Sequence, residues 1–267
     1  MLKLNPWLMV FPLLSGIACF LLLASYAAGI FAGGIAFGLD KPGKEANEAL
    51  VWVLLFVYYF VNYFIIVFFN AALVSCAMTQ FRGGTPTVRD GLRAASQLLP
   101  QIVFWSLLAA TVGVVLRMIE ERVGFIGKIV MALLGAAWAI ATYFVVPVLV
   151  VEKLGPVEAA KRSAQIITKS WGEAIVGNVG IGLLSFLAVV LLVIPCGLAT
   201  LFLAVSAKSL ALGVIGAMAT LALLVLIVLA SSALHSIVLS ALYLYAAERK
   251  LPQAFEAGRL QAAFVAR

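Results

Sequence analysis

Charge is scarce in this 267-residue chain: Asp, Glu, Lys and Arg together make up only 11% of it. Soluble globular domains carry about 25% charged residues, so a water-soluble fold is excluded. There is one histidine, His235, which rules out a multi-histidine metal site. The carboxylates are scattered rather than clustered, so no metal and no cofactor is expected. Cysteine is almost as sparse. Cys19, Cys76 and Cys196 lie inside or beside apolar runs, and no two share a redox or metal-ligand spacing. They read as small residues for packing within a membrane. The net charge of +7 comes without a basic stripe interleaved with aromatics, so nucleic acid is excluded as a partner.

What is there is apolar sequence. Hydrophobic residues make up 65% of the chain and the mean hydropathy is +1.17. A bilayer core of about 30 Å needs about 20 mostly apolar residues per helical crossing. The pattern predicts six membrane helices in one integral-membrane domain, over about 8–37, 48–79, 99–119, 126–151, 172–194 (extending to 205 if the run continues) and 212–247. The apolar run from Trp7 to Phe37 is longer than the roughly 7–15 residues of a signal-peptide core, and reads as an uncleaved first span. The sixth span, at 1.5 Å per residue, is about 54 Å long. It must tilt, protrude or break, with Ser231-Ser232 the expected breaking point.

Charge orients the spans. With six crossings, one side carries Lys3, Arg82, Arg89, Arg93, Lys153, Lys161, Arg162, Lys169, Arg249, Lys250, Arg259 and Arg267. The other carries Lys41, Lys44, Arg117, Arg122, Lys128 and Lys208. Basic residues favour the first side two to one, which the positive-inside rule assigns to the cytoplasm. Both termini are therefore expected inside, and the protein in a bacterial inner membrane.

Three amphipathic segments interrupt the apolar runs on that side. In 156–170, Val157, Ala160, Ala164, Ile167 and Trp171 step at helical spacing. Glu158, Arg162, Gln165 and Lys169 take the opposite face, with Glu158 and Arg162 a favourable i, i+4 pair. Pro156 suits the first turn. In 86–98, Val88, Leu92, Ala95 and Leu99 form the stripe, Arg89 and Arg93 stay polar, and Thr87 with Asp90 fits a capping box. In 252–264 the stripe is Ala257, Leu260 and Phe264. Such helices lie in the membrane interface, where Arg89, Arg93, Lys161, Arg162 and Lys169 meet anionic headgroups and Trp171 sits at headgroup depth. Pro86, Pro156 and Pro252 mark three degenerate helix-pair repeats.

"PVLVVEKLGPVEAAKRSAQIITKSWGEAIVGN" (147–178) carries a resemblance. Pro147, Glu152, Gly155, Pro156, Ala159, Arg162, Ser163 and Trp171 match a motif of the membrane domain found beside some glycerophosphodiester phosphodiesterases. The same layout is similar to uncharacterised bacterial and archaeal six-span families. "FNAALVSCAMTQFRGGTPTVRDGL" (69–92) and "LRMIEERVG" (116–124) resemble one bacterial family of unknown function. The resemblance implies a fold. The phosphodiesterase activity belongs to a soluble catalytic domain that has no counterpart in these residues.

The search for chemistry finds no catalytic residue. Ser231 and His235 share a helical face, but no acid follows until Glu248, so a nucleophile, base and orienting group are not assembled. "GNVGIG" (177–182) follows no strand and reads as helix packing. Gly29 with Gly33, Gly34 with Gly38 and Gly135 with Ala139 have the spacing of close helix contacts. Polar residues inside spans are costly, and Tyr59, Asn62, Asn70, Asn178 and His235 form a candidate intramembrane cluster. They either line a polar pocket or fix helix packing. Arg117 and Glu121 form a self-paired end to the third span. Two readings follow. One is a non-enzymatic module that assembles with a membrane-protein partner or a second copy, or organises anionic lipid. The alternative is a transporter or channel for a small or amphiphilic solute.

Overall fold

The structure is a computed structural model that describes residues 6–37, 48–169, 180 and 182–248. Among these residues the chain is helical, with no strand. A 3-10 turn, Pro6–Met9, leads into α1 (Val10–Phe37). Then come α2 (Glu48–Phe81), α3 (Val88–Gln97), α4 (Leu99–Glu120), α5 (Phe125–Ala141), α6 (Val145–Val151) and α7 (Pro156–Lys169). The last two are α8 (Gly182–Ser206) and α9 (Leu210–Glu248). Six helical segments are long and apolar enough to cross a membrane, α5 and α6 together making the fourth. The expected interfacial segment 252–264, Trp171 and Asn178 lie outside the described residues.

Three helix boundaries have local causes. Pro100 cannot donate to Ser96 and would press on its carbonyl, so α3 stops at Gln97 and the chain turns through Leu98 into α4. Pro147 acts in the same way on Tyr143, and the fourth span breaks at residues 142–144 instead of running unbroken over 126–151. Pro195 is accommodated by a π turn at Val189–Val193. An extra residue per turn absorbs the missing donor, so the fifth span continues to Ser206 rather than ending at 194. The expected break at Ser231-Ser232 does not occur: α9 is continuous over 39 residues, about 58 Å of helix.

The buried core occupies one end of the bundle. It contains Phe11 of α1, Leu73 and Val74 of α2, Ile102 of α4, Val148 and Leu149 of α6, Ile166 of α7 and Tyr243 of α9. Away from that end the helices expose large apolar side chains, among them Phe31, Phe125, Leu210 and Met218. In water this would be an aggregation surface; in a bilayer it is the lipid face. Trp105 and Trp138 stack at 6.0 Å between α4 and α5. Close glycine approaches between different helices are at Gly91 and Gly216. A Cβ on Gly216 would sit 2.6 Å from the Thr200 Cβ, across the α8–α9 hairpin. At Gly29 and Gly135, expected to be packing positions, a Cβ would meet nothing within 4 Å.

Candidate functional site

The end of the bundle that holds the core also gathers the basic segments. Phe11 at the start of α1 and Cys76 near the end of α2 both touch Gly91 of α3. Glu152 after α6 meets Tyr243 near the end of α9. The spans therefore alternate in direction and return to one end.

The α6–α7 junction is built around Pro147. With the helix broken there, the Tyr143 N–H donates to the Ile140 carbonyl at 3.2 Å, in the tighter 3-10 manner. The Phe144 N–H is left without a helical acceptor, and Ser163 Oγ of α7 accepts it at 2.9 Å, with both residues fully buried. A buried backbone donor without a partner is costly, so Ser163 is the complement of Pro147. One residue earlier, the Arg162 Nε donates to both oxygens of Glu152, at 2.9 and 3.1 Å. The Tyr243 hydroxyl donates to the same carboxylate at 2.8 Å. Glu152 thus ties α6, α7 and α9 together. Gly155 and Pro156 open α7: the Gly155 carbonyl accepts the first helical bond, from the Ala159 N–H at 2.8 Å. The Glu158 side chain folds back over Gly155, in the space a Cβ would take. Every motif residue that carried the resemblance, Trp171 apart, therefore has a place in this junction.

The apolar stripe of α7 differs from expectation. Ala159, Ser163, Ile166 and Ile167 are buried, whereas Val157 is exposed. Arg162 pairs with Glu152 instead of Glu158. Ser163 decides the rotation, because its hydroxyl must reach Phe144, and Arg162 is carried to the junction with it. On α3, Gly91, Ala95 and Leu98 are buried and Leu99 is exposed. A Cβ on Gly91 would lie 2.6 Å from Cys76 Sγ, 2.7 Å from Phe11 Cζ and 2.9 Å from the Ala72 carbonyl oxygen, so α3 lies directly on α2. Its capping box is complete: the Asp90 N–H donates to Thr87 Oγ1 at 3.3 Å, and the Thr87 N–H and hydroxyl donate to Asp90 Oδ2 at 2.9 and 2.7 Å. Those hydrogen bonds first, and Arg93 and Arg89 after them, hold the Asp90 carboxyl below the usual carboxylate range. Arg89, Arg93 and Lys161 are all exposed.

The described intramembrane polar residues do not gather into one cluster. Asn70 Oδ1 accepts a 2.8 Å bond from the Ser236 hydroxyl of α9, and the Ser240 hydroxyl donates to the Ser236 carbonyl at 2.8 Å. His235 lies edge-on to Tyr143 at 6.2 Å. Tyr59 stacks on Tyr63 and lies beside Arg117, which donates to Glu121 at 3.3 Å. Asn62 is half-buried, eight residues or about 12 Å along α2 from Asn70. Ser185 donates to Ser231 at 2.7 Å, joining α8 to α9. Among the described residues, no three His, Cys, Asp or Glu side chains gather to hold a metal. Sequence reasoning did not single out Ser236 or Tyr243. The signal for Ser236 was the i, i+4 series Ser232, Ser236, Ser240, one face of α9.

Six helices long and apolar enough to cross a membrane, joined by the Asn70–Ser236 and Ser185–Ser231 bonds between them, fit a multi-pass helical membrane protein. The chain belongs to a family of unknown function, DUF6159, whose model matches residues 49–252, from the start of α2 to just past α9. No curated protein matches it.

Proposed function

We propose that this protein is a non-enzymatic membrane module of a bacterial inner membrane, which organises anionic lipid at its cytoplasmic face and serves there as an assembly platform. In this reading α3 and α7 are interfacial helices that belong to degenerate repeats, and both termini are cytoplasmic. The observation that carries the reading is the exposure of Arg89, Arg93 and Lys161 on two short amphipathic helices at the same end of the bundle. Each such cation near an anionic surface contributes about 1 kcal/mol. Arg162 stands apart, because Glu152 engages it.

The transporter reading draws on the polar residues of α2 and α9. Asn70 and Ser236 are, however, bonded to each other between α2 and α9, as residues that fix helix packing are, and packing is the better account of that pair.

The test is lipid analysis of the purified protein. Arg89→Glu, Arg93→Glu and Lys161→Glu combined should lower the ratio of phosphatidylglycerol to phosphatidylethanolamine that co-purifies. A ratio equal to wild type, with the protein still monodisperse, overturns the reading.

A further inference from the structure

A cavity of about 360 Å³ opens between the ends of α2 and α6. None of the residues assigned to the basic interfacial surface lines it. We propose that it binds one anionic phospholipid, whose phosphate sits between Arg82 and Lys153 and whose glycerol and first methylenes rest on Met78, Val150 and Val151. The inference goes beyond the interfacial reading and rests on different residues.

The lining has two chemistries. Ser75, Met78, Thr79 and Arg82 follow the i, i+3, i+4, i+7 spacing of a single helical face, and run from hydroxyl and thioether to cation. Val150 and Val151 of α6 supply an apolar wall, and Lys153 the second cation. An inorganic anion would leave the apolar wall wet; a hydrocarbon would leave the cations unused. An amphiphile with a phosphate satisfies both. The volume lies within the roughly 300–1,000 Å³ of small-ligand sites. Basic pockets between membrane helices, at the level of the headgroups, are where phospholipid heads bind.

The backbone around the cavity is held in unusual shapes. Gly83 has φ 85° and Lys153 has φ 53°. The left-handed region is costly for a residue with a Cβ. Lys153 follows Glu152, which ends α6 and is bonded to Arg162 and Tyr243. Gly84 forms a wall where no side chain fits: a Cβ would lie 2.8 Å from Thr79 Cγ2. Two helix C-termini face the cavity, and their carbonyl ends carry about half a negative charge each. Arg82 and Lys153 supply positive charge against them. Arg82 keeps an interaction of its own within the protein, and its five N–H donors can serve a phosphate as well.

The experiment uses the full-length protein, delipidated in detergent and read by native mass spectrometry. It is titrated with short-chain phosphatidylglycerol, with phosphatidylcholine of the same chains, and with inorganic phosphate. Wild type should hold one phosphatidylglycerol. Arg82→Gln with Lys153→Gln should weaken it about thirtyfold, the combined effect of two surface cations. Arg122→Gln with Lys128→Gln, exposed cations around the turn between α4 and α5, should leave it unchanged, and the co-purifying lipid ratio of the Arg89, Arg93 and Lys161 variant, read separately, reports on the interfacial reading alone. Equal affinity in wild type and the double variant overturns the proposal. So does phosphatidylcholine binding as tightly, or inorganic phosphate displacing the lipid at equal concentration. If the double variant does not fold, Val151→Phe fills the cavity without touching charge; full retention of the lipid by that variant overturns the proposal as well.

Discussion

The Arg162 guanidinium lies against Glu152, its Nε 2.9 and 3.1 Å from the two carboxylate oxygens, across the turn that joins α6 to α7. The pair is only half-buried, so solvent screens part of its attraction. Its value is geometric: the same carboxylate accepts the hydroxyl of the fully buried Tyr243, and three helices are locked at one point.

Removing one partner should cost more than removing both, since a lone charge is left partly desolvated. Arg162→Ala or Glu152→Ala should lower stability by about 2 kcal/mol, and Tyr243→Phe by about 1 kcal/mol. The combination Glu152→Ala with Arg162→Ala should be less harmful than the sum of its parts. Melting in detergent across the double-mutant cycle measures the difference. Strict additivity would show that the two residues do not interact.

Much of the fold was legible because a bilayer imposes long apolar runs and a charge asymmetry. All six spans were readable on that basis. What was not readable depends on partners distant in sequence. Val157 and Ile167 looked alike as stripe residues, yet only Ile167 is buried, because Ser163 must turn toward Phe144. Arg162 looked like a headgroup contact until Glu152, ten residues earlier, claimed it. The split in the fourth span was written in Pro147, but a proline inside an apolar run also fits a tolerated kink. Asn70 was visible as costly; its partner Ser236, on a helix 166 residues away, was not.

Ser163→Ala should leave the buried Phe144 N–H without an acceptor and cost about 1–3 kcal/mol. Pro147→Ala lets the helix close over residues 142–144, so that Phe144 can donate to Ile140. In that background Ser163→Ala should cost clearly less. Equal cost in both backgrounds would separate the serine from the proline break.

Gly91→Ala should loosen α3 from α2. The new Cβ would meet the Ala72 backbone oxygen at 2.9 Å, and backbone in the middle of α2 cannot step aside. A loss of about 1–3 kcal/mol is expected for such overpacking. Faster hydrogen exchange confined to α3 would locate it; unchanged exchange there contradicts the contact.

Asp90 gives α3 a pH dependence. Its folded pKa lies below the usual value of about 3.9, so the unfolded segment binds the proton more readily. The capping contribution is present above about pH 4 and is lost as pH falls through the folded value. Exchange protection in α3 should decline below pH 4 in wild type. In Asp90→Asn it should be lower at neutral pH and flat with acid. Parallel pH profiles in the two proteins would remove Asp90 as the cause.

In the proposed topology six crossings return to a basic, cytoplasmic end. Impermeant maleimide labelling of intact cells tests it, with Cys19, Cys76 and Cys196 replaced by Ala. Single cysteines are placed at the exposed positions Arg122, between α4 and α5, and Lys161, on α7. The account predicts labelling of position 122 from outside, and of position 161 only after the membrane is permeabilised. Labelling of position 161 in intact cells contradicts it.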